Sequence, residues 1–579
     1  MQPPVTSGDS PRSTASPTAL DRARTGRTVL FAARSATALH RLLDVLAVFA
    51  GDDWIAHRFT LVPGSAFDAE ALVAVERAGA RTVPWERAGA GGFDLIVAAS
   101  PKGGLDTLDG TLALLPHGAG FGKTLPDEGT PGAPSGLDPA FLLADGAAVA
   151  TRHLLAHPDQ VARLADASPE AAARAMVVGD PTLERLLVSV GHRDRYRAAL
   201  GTGARRLVVV TSTWGPESLL RRRPGLAAEL LGALPGDGYQ VALVVHPNER
   251  SRLGSFDLAR WLGPALDAGL LLPGPHAEWA TLLVAADAVV TDHGSTALYA
   301  AALGRRVLAA HDGGNELIPD SPIARLLAAG PRLGAVDALP ALLSAAPSPE
   351  VAAAAEAAAR AAFARRGRAL ALLREELYGL LELAPVGPPP EPEPLPVPAE
   401  RPRVPAAFAV AAAPTADAGA SGSGARVTVE RYPPWRERPV TLFAAEHGVA
   451  GERRAQSAGL LYRRAEGHPV AAHRDAWTAE GWIDATLDAY PGCATAGVVL
   501  SPALAVLRRR GGALLALDLG PHPAPGRVIS TDPAAALCAA HALLAQRPDA
   551  VGAFTAVIGD RPFPAALRRA TPEEATGVV

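Results

Sequence analysis

Short apolar runs alternate with longer amphipathic runs over most of the first 384 residues. The run TVLFAA at 28–33 is typical of a buried strand, and 36–49 is typical of a helix that packs beside it. Strands that alternate with helices predict parallel sheets covered on both faces. The sequence therefore predicts an α/β fold with two successive doubly wound units.

The predicted strands fall into two series, separated near residue 195. Those of the first series lie at 58–62, 81–84, 94–99, 111–115 and 175–178 in addition to 28–33, with a further helix at 67–78. Those of the second lie at 207–211, 240–245, 270–272, 288–291 and 307–310. The spacing predicts an N-terminal domain over 26–195 and a second domain over 196–384.

The remaining segments are recognised by composition. Residues 1–25 are polar and rich in Pro and Ser, which predicts disorder. The alanine-rich run 351–383 is a predicted helix that packs back onto the body. Residues 385–425 begin with Pro-Glu repeats and end in Gly and Ser, which predicts a linker with a stiff part and a flexible part. The rest, 426–579, is expected to form a small α/β domain of unknown role.

Charge and cysteine content exclude several classes of function. The net charge is −4, so no global basic field attracts nucleic acid. Cys493 and Cys538 are the two cysteines, too few for a disulfide framework or a Cys-based zinc site. No uncharged apolar run approaches the ~18–20 residues of a spanning helix. We expect a cytoplasmic protein, with peripheral contact at the inner face of a membrane left open.

The segment LPHGAGFGKT at 115–124 combines a histidine, a glycine-rich loop and a lysine. His117 is a candidate proton acceptor near neutral pH, and Lys123 is one of the two lysines in the chain. The glycines would let the backbone approach a ligand closely. A phosphate-binding P-loop needs glycine where His117 stands and a helix after the lysine, but a loop with two prolines follows. A plain structural turn remains the alternative.

Polar side chains follow several of the predicted strands at the point where each strand ends. In doubly wound sheets, ligands bind beyond the carboxyl ends of the strands. The residues that fall there are His117, Ser212, Thr213, His246, Asp292, Gly294, Ser295 and Thr296. Their common location predicts one binding site at the facing edges of the two sheets.

Each of these residues has a functional interpretation and a structural alternative. Ser295 and Thr296 begin a predicted helix whose N-terminus would bind an anion, although Ser295 could simply cap that helix. Asp292 is expected to orient the loop rather than to ligate a metal. His246 could cap Asn248 or Glu249 instead of meeting a ligand.

Lys123, Ser212 and Thr213 are predicted to contact phosphates, and Glu316 to accept ribose hydroxyls. A solvated loop lysine is the alternative for Lys123. The C-terminal unit holds five histidines without a metal-ligand spacing, and no metal is expected there.

Five segments in order resemble the CDP-glycerol glycerophosphotransferase (teichoic acid polymerase) family over about residues 110–312. They match family segments of the types WHGTPxK, GxPRxD, PTW, KxHP, and TDYSS followed by a helix and GxPV. Here they read PHGAGFGK at 116–123, GDPTLERL at 179–186, TSTW at 211–214, VVHP at 244–247, and TDHGST at 291–296 followed by GRRV at 304–307. The chain departs from the family pattern at Thr182, where the family has arginine, and at His293-Gly294, where it has Tyr-Ser.

The resemblance implies a GT-B-like pair of Rossmann-like domains with a nucleotide-diphosphate donor bound between them. It implies a transferase that moves a glycerol-phosphate or glycosyl group to a hydroxyl acceptor, with His117 as base and His246 at the donor phosphates. No cofactor is implied, because the donor is a substrate. A sugar-nucleotide epimerase of the same fold and a non-catalytic nucleotide- or glycan-binding module remain alternatives. A partner recruited by 426–579 is not identified.

Overall fold

The computed structural model describes residues 26–64, 75, 79–124, 129–130, 132–274, 278–398, 403–416, 424–435, 439–465 and 476–579. The predicted disorder of 1–25, most of the predicted helix at 67–78 and the flexible end of the predicted linker lie outside the described residues. Within the described ranges the protein has two lobes with parallel sheets and a C-terminal barrel.

The first lobe is a six-stranded parallel sheet in the order β2-β1-β3-β4-β7-β8. Strand β1 (Arg27–Ala33), which lies between β2 and β3, is buried from Thr28 onward, as expected where helices cover both faces. The predicted strand at 81–84 is a single bridge, Phe59 to Thr82. The elements after β1 are α1 (Ala36–Leu46), β2 (Ile55–Leu61), α2 (Trp85–Ala88), β3 (Leu95–Ala98), β4 (Thr111–Leu114), α3 (Pro139–Leu142), β5 (Leu143–Ala144), β6 (Ala147–Ala148), β7 (Arg152–Leu155), α4 (Pro158–Ala167), α5 (Pro169–Ala172) and β8 (Ala175–Val177).

The second lobe is a four-stranded parallel sheet in the order β10-β9-β11-β12. The predicted strand at 270–272 forms only one bridge, from Leu271 to Ala242. The elements that follow β8 along the chain are α6 (Pro181–Ser189), α7 (Arg193–Ala199), β9 (Arg206–Ser212), α8 (Leu219–Arg222), α9 (Leu226–Ala233), β10 (Tyr239–Val245), α10 (Pro247–Leu253), α11 (Ser255–Trp261), α12 (Gly263–Asp267), α13 (Glu278–Ala285), β11 (Ala288–Thr291), α14 (Thr296–Ala302), β12 (Arg306–Ala309), α15 (Pro322–Ala329), α16 (Leu339–Ser344), α17 (Pro349–Ala362) and α18 (Ala369–Leu380), the last of which packs on the first lobe. The parallel α/β architecture predicted for both units is confirmed.

Two helices pack on the lobe opposite to the one that their place in the sequence predicts. Leu183 and Leu186 of α6 belong to the apolar core of the second lobe. Conversely, α18 joins the core of the first lobe, where Tyr378 lies 5.7 Å from Phe49 between ring centroids. An amphipathic stripe shows that a helix packs but not on which sheet, so the boundaries 26–195 and 196–384 place both helices in the wrong lobe.

The Pro-Glu part of the predicted linker is docked on the lobes. Its Leu395 is 5% exposed and belongs to the core of the second lobe. The backbone N–H of Leu395 donates to Ser189 Oγ (2.9 Å), and its carbonyl accepts from the Tyr196 hydroxyl (2.8 Å). Because one leucine and its peptide groups find buried partners, this part of the predicted linker 385–425 does not run free.

The C-terminal unit is a closed barrel of nine strands in the order β13-β14-β22-β23-β19-β18-β17-β16-β15. The prediction of a small α/β domain is therefore wrong. Its elements are β13 (Ala407–Ala416), β14 (Ala425–Tyr432), β15 (Leu442–Glu446), α19 (Glu452–Ser457), β16 (Leu460–Arg464), α20 (Ala479–Ala489), β17 (Thr495–Ser501), β18 (Leu504–Arg509), β19 (Leu514–Leu519), β20 (His522–Ala524), β21 (Arg527–Ile529), α21 (Pro533–Gln546), β22 (Gly552–Ile558), β23 (Arg561–Arg569) and α22 (Pro572–Ala575).

Helix α21 explains why the strands close around a common core. It is buried along most of its length and packs against β13, β14, β16, β17, β18, β19 and β22. Strand residues such as Val499 and Leu507 pack on α21, whereas Val498 and Val506 belong to a separate cluster with α20. Because successive side chains of a strand point to opposite faces, these strands contribute residues to two apolar layers. Strand β13 lies wholly within the predicted linker 385–425, so the sequence analysis missed this strand.

The barrel docks on the loops that precede β9 and β10. Arg431 of β14 binds both carboxylate oxygens of Asp237 (2.6 and 2.9 Å), and its carbonyl accepts from Gly236 N (2.8 Å). Arg561 donates to the carbonyl of Ala204 (3.0 Å). In a parallel sheet these loops lie at the amino ends of the strands. The barrel is therefore attached at the end of the second sheet opposite to the carboxyl ends.

The described residues offer neither a membrane-spanning helix nor a metal cluster. None of the helices found there has both the length and the apolar character of a membrane span. The same residues contain no cluster of three or more His, Cys, Asp or Glu side chains placed to ligate a metal ion.

Candidate functional site

A cavity of about 490 Å³ lies between the lobes at the carboxyl ends of their strands. We call it the cleft. The first lobe contributes His117 and Lys123 to its lining. The second contributes Ser212, Thr213, His246, Gly294, Ser295 and Thr296. Eight of the residues predicted from strand-end positions and loop chemistry are therefore brought together in one place.

The glycine-rich loop after β4 packs against the second lobe. A side chain built on Gly118 would lie 3.3 Å from Ser295 Oγ, and one on Gly122 would lie 2.3 Å from Ile323 Cγ2. The backbone of the loop also pairs with that lobe, since Thr124 N donates to Glu316 O (2.8 Å) and Ile318 N donates to Gly122 O (3.0 Å). The sequence interpretation assigned these glycines to ligand approach, whereas at these positions they allow close contact between the lobes.

Lys123 and Glu316 form an ion pair across the lobes. Lys123 Nζ lies 3.0 Å from Glu316 Oε2, donates to the Trp214 carbonyl, and lies 4.9 Å from the Trp214 ring centroid. Glu316 is 1% exposed, and its other oxygen accepts from Glu217 N (3.2 Å). The carboxylate that was predicted to accept ribose hydroxyls is thus enclosed by protein groups, and the charge of Lys123, which was predicted to contact phosphates, is already paired with that carboxylate.

The electrostatics of Glu316 agree with a permanently ionised partner. Burial by itself would raise the pKa of Glu316, but the bond to His293 (3.2 Å) and the charge of Lys123 lower that pKa to about 2. The Glu316 carboxylate therefore stays charged at any pH where the protein functions, and it ties Lys123 and His293 to the same position.

His117 is held in the tautomer that a general base requires. Its Nδ1 lies 2.9 Å from the carbonyl oxygen of Ala99, which can only accept, so Nδ1 carries the proton and Nε2 carries the lone pair. Burial lowers the pKa of His117, and the charges of Arg41 and Lys102 lower it further, against the opposing effect of the Ala99 bond. At neutral pH the imidazole is uncharged and ready to accept a proton.

His246 has the opposite tautomer. Its Nδ1 accepts from the backbone N–H of Asn248 (3.1 Å), at the N-cap of α10, so a neutral ring carries its proton on Nε2. Burial, assisted by Lys123 and His117, lowers the pKa of His246 to about 3. The capping role left open by the sequence is therefore present, and it leaves an N–H donor on the other nitrogen.

Asp292 organises the floor of the cleft. Its carboxylate accepts from the backbone N–H groups of Thr213 (2.9 Å), Leu219 (2.8 Å) and Gly294 (3.0 Å). Asp292 is fully buried, as expected for a loop-orienting residue. Ser212 Oγ accepts from Leu220 N (2.9 Å) and donates to Thr213 O (3.1 Å), so its hydroxyl is already bonded within the protein.

The N-terminus of α14 opens on the cleft. Helix α14 begins at Thr296, preceded by Gly294 and Ser295, and the Ser295 side chain makes no capping bond. The first N–H groups of a helix lack intrahelical acceptors. This arrangement favours the anion-binding interpretation of 294–296 over an ordinary serine cap.

Sequence reasoning missed several residues of the cleft wall. Arg41 of α1 donates to Asp180 Oδ2 (2.8 Å) and to the hydroxyl of Tyr299 (2.9 Å), and both Arg41 and Tyr299 line the cleft. Trp214 and Trp279 line it as well. The long-range triad is separated by 139 and 258 positions along the chain, so no local pattern could reveal it.

A second cavity of about 770 Å³ adjoins the cleft on the first lobe. The two cavities share Arg34, Gly64, Pro101 and Lys102 in their linings. Lys102 Nζ lies 5.2 Å from the Phe141 ring centroid at this junction. The cleft therefore continues as a groove along the first lobe.

The barrel histidines that the structure describes have protein partners. His447 Nε2 lies 3.2 Å from the Tyr490 hydroxyl, His522 Nδ1 lies 2.9 Å from the Pro562 carbonyl, and His541 Nδ1 lies 2.9 Å from Thr495 Oγ1. His468 and His473 lie outside the described residues. These contacts give the three described histidines structural roles.

Comparison with known proteins gives structural similarity only. No protein-family model matches the chain, and no curated protein matches it. The wall teichoic acid polymerase TagF is 13% identical, with 62% of this chain and 89% of that chain covered and a TM-score of 0.44. Anabaena HepE in complex with UDP and glucose is 15% identical over 62% of this chain and all (100%) of that one, with a TM-score of 0.37.

A third similar structure is S. aureus MnaA with UDP, which is 10% identical over 62% of this chain and 99% of that chain, with a TM-score of 0.38. TagF is named a teichoic acid polymerase, and the five sequence segments resemble the teichoic acid polymerase family. These similarities are low, and the fold of the two lobes is established here by their own sheet topology.

Proposed function

We propose that the protein is a transferase that moves a glycerol-phosphate group, or alternatively a glycosyl group, from a nucleotide-diphosphate donor to a hydroxyl acceptor. The observation that carries the proposal is the pair of neutral histidines in opposite tautomers in one interlobe cleft. His117 offers a lone pair on Nε2, and His246 offers an N–H on Nε2. One is suited to take a proton, and the other to bind developing negative charge.

The proposed reaction has one bond formed and one broken. The acceptor hydroxyl gives its proton to His117 Nε2 while its oxygen attacks the phosphorus that carries glycerol. The bond from that phosphorus to the bridging oxygen breaks, and nucleoside monophosphate leaves with the electron pair. His246 and the N-terminus of α14 donate hydrogen bonds where this charge develops. The proton on His117 then passes to solvent.

The charges around His117 favour phosphoryl transfer over glycosyl transfer. Arg41 and Lys102 are cations near His117, and the charge of each lowers the pKa of its imidazole. A reacting phosphoryl group is anionic and is stabilised beside cations, whereas the oxocarbenium-like centre of glycosyl transfer is positive and is repelled by them. Glycosyl transfer remains the second candidate, with attack at the anomeric carbon and nucleoside diphosphate as the leaving group.

The acceptor is proposed to occupy the groove that extends the cleft over the first lobe. This groove shares Pro101 and Lys102 with the lining of the cleft that contains His117, so an acceptor in it could extend a hydroxyl toward that base. No metal is needed in this scheme, because side chains and helix N–H groups supply the charge stabilisation. A nucleotide bound without cofactor would suffice.

The test compares CDP-glycerol and UDP-glucose as donors, with glycerol and glycerol 3-phosphate as acceptors. We expect release of CMP from CDP-glycerol that depends on acceptor. His117→Ala should reduce turnover by about 10²–10⁴-fold, the usual contribution of a positioned base, with CDP binding nearly unchanged. His192→Ala, at an exposed position away from the cleft, is the matched control and should retain wild-type turnover.

Three results would contradict the proposal. Epimerisation of the sugar nucleotide without transfer would identify the alternative enzyme class. Tight CDP binding with no turnover of either donor would identify a binding module. Equal loss of CDP binding and turnover in His117→Ala would remove the base from its assigned role.

A further inference from the structure

One end of the cleft is closed where α1, α6, α13 and the segment 386–398 meet. Two hydrogen bonds tie this segment to the helices: Arg185 Nε donates to the Glu393 carbonyl (3.2 Å), and Thr281 Oγ1 donates to the Pro396 carbonyl (3.3 Å). We call this part of the cleft lining the end wall. Its residues are Leu43, Asp44, Thr182, Arg185, Trp279 and Leu395.

The end wall and the groove on the first lobe lie at opposite ends of the cleft. Helix α1 runs between them, since Arg34 lines the groove and Asp44 belongs to the end wall. Ser35, the N-cap of α1, and Asp44 are nine positions apart, which corresponds to about 13 Å of helix. Between these points Arg41 donates to the Tyr299 hydroxyl in the first turn of α14 (2.9 Å). The anion-binding turn at 294–296 is therefore next to the middle of the cleft.

The surface of the end wall is largely apolar. Trp279 is half-buried and packs against the core of the second lobe, to which Leu395 also belongs. The Trp279 ring is held edge-on to Tyr299, with 5.7 Å between the ring centroids. Aromatic and leucine side chains do not solvate a phosphate, but they bury the faces of a flat ring well. The end wall therefore suits a planar heteroaromatic group.

Arg185 supplies a polar contact at the edge of this apolar surface. Its Nη1 donates to Asp44 Oδ1 (2.6 Å), and the other oxygen of Asp44 accepts from the Thr182 hydroxyl. The Arg185 side chain is 24% exposed, and its Nη2 makes no hydrogen bond within the part of the chain that the structure describes. The guanidinium is thus fixed by Asp44 and Glu393, with one nitrogen left to donate to a ligand.

We propose that the end wall is the nucleobase subsite of the donor, in which the base stacks on Trp279 and accepts a hydrogen bond on its edge from Arg185 Nη2. This inference rests on the proposed function, which places the diphosphate at the N-terminus of α14 and the acceptor in the groove. The nucleoside must then extend toward the other end of the cleft. Leu395 makes the segment 386–398 part of the donor site.

Calorimetry on the full chain tests the subsite with CDP, and with inorganic pyrophosphate as a competitor that lacks the nucleoside. Trp279→Leu should weaken CDP binding by about 10-fold, because the stacking contact is lost. Arg185→Lys keeps a cation beside Asp44 but has no second nitrogen for the base, so it should also weaken CDP binding by about 10-fold. Competition by pyrophosphate should be unchanged in both variants.

Two control variants match these changes outside the cleft lining. Trp261→Leu removes a partly exposed tryptophan of α11. Arg223→Lys changes an arginine that is 25% exposed and that donates to the Leu333 carbonyl (2.9 Å). Both controls should bind CDP like the wild-type protein.

The contribution of the segment 386–398 is tested by a second pair of variants. Leu395 and Val397 both pack on the core of the second lobe, but only Leu395 belongs to the cleft lining. Leu395→Ala should weaken CDP binding by about 3-fold, because apolar area against the base is lost. Val397→Ala should leave CDP binding unchanged, although both variants should lower the midpoint of thermal unfolding.

Unchanged CDP affinity in both Trp279→Leu and Arg185→Lys would overturn the inference, as would equal losses for CDP and pyrophosphate. If Trp279→Leu does not fold, Arg185→Lys decides alone, and if pyrophosphate does not compete, the CDP affinities of the variants and controls decide. Failure of the proposed function is a separate result. In that case neither CDP-glycerol nor UDP-glucose is turned over, while CDP still binds and is still weakened by the end-wall variants.

Discussion

Arg41 and Arg431 are both buried arginines bound to aspartates, but they lie at opposite ends of the second lobe. Arg431 is satisfied on every nitrogen, with Asp237 on Nε and Nη2 and Asp532 on Nη1. Arg41 donates through Nη2 to Asp180 and Tyr299, and its Nε has no hydrogen-bond partner among the described residues. Complete pairing is typical of a structural joint and leaves Arg431 no donor for a ligand, whereas Arg41 belongs to the lining of the cleft.

The same contrast holds for the space around the two arginines. The cleft end of the lobe opens on a cavity lined by polar side chains of both lobes. The barrel end is filled, because α21 occupies the interior and the Arg431 cluster closes the joint. We infer that chemistry belongs to the cleft and that the barrel contributes stability at a distance from it.

The largest expected effect comes from breaking the barrel joint. Asp237→Ala leaves Arg431 buried with one carboxylate fewer, which should lower the free energy of unfolding by about 3–5 kcal/mol. Turnover per folded molecule should not change, because the joint lies at the other end of the sheet. Urea unfolding and donor turnover measure the two quantities.

Asp267→Ala is the matched control for that joint. Asp267 pairs with Arg403 (3.1 Å) just before the barrel begins, but their side chains are 57% and 62% exposed. An exposed pair contributes about 0–1 kcal/mol. Similar losses of stability in the two variants would show that burial is not what makes the joint strong.

A change of pH is expected to have a smaller effect on the free energy of unfolding. Buried histidines in the cleft and in the barrel should both contribute to it. Burial, with Lys123 and His117, lowers the pKa of His246 to about 3, and burial with Arg509 lowers that of His541 to about 4. An unfolded histidine titrates near 6.5, so below that pH the unfolded state binds more protons and stability falls. Each histidine should destabilise the fold by about 2 kcal/mol at pH 5 relative to pH 7.

His246→Asn and His541→Asn test this dependence. In each variant the unfolding free energy should fall less steeply between pH 7 and pH 5. The change in slope should correspond to at most one bound proton. Asparagine can still accept the Asn248 N–H through its side-chain oxygen, so the cap at α10 is retained in the first variant. A slope equal to that of the wild-type protein would mean that these imidazoles titrate normally in the folded state.

The smallest effects are expected from adding one methyl group at each end. Gly122 lies against Ile323 across the lobes, and Gly497 lies against α21, where an added methyl would be 3.2 Å from Leu537 Cδ2. Overpacking should lower stability by about 1 kcal/mol in each alanine variant. Only Gly122→Ala should also weaken CDP binding, which calorimetry measures; equal weakening in both would contradict the separation of the two ends.

Much of the lobe architecture was predictable because its strands are local apolar runs. The strands β1, β3 and β9 to β12 stand out from the alternation of apolar and amphipathic segments. Strand β7 was missed because its sequence begins Arg152-His153, and a buried histidine interrupts the apolar signal.

The barrel was not predictable for a different reason. Strand β13 reads AFAVAAAPTA, in which alanine and proline favour neither a strand nor a linker decisively. Its pairing with β14 and β15 becomes apparent only once the chain folds. Helix α21 is apolar on all sides, so it carries no amphipathic stripe that reveals what surrounds it.

The site divides along the same line. The common location of His117, His246 and the 294–296 turn in the cleft was predictable, because each follows a strand. Arg41, Asp180 and Tyr299 were not, because their association depends on how α1, α6 and α14 meet. The roles of Lys123 and Glu316 changed for a similar reason: their pairing across the lobes is a property of the closed interface.

The most direct test of the central proposal is a crystal structure of the protein with CDP. We predict that the diphosphate lies in the cleft, within hydrogen-bond distance of His246 Nε2 and of the backbone N–H groups at Ser295 and Thr296, with His117 on the facing wall. A diphosphate bound outside the cleft, or in it but beyond reach of both histidines, would contradict the assignment of transfer chemistry to this site.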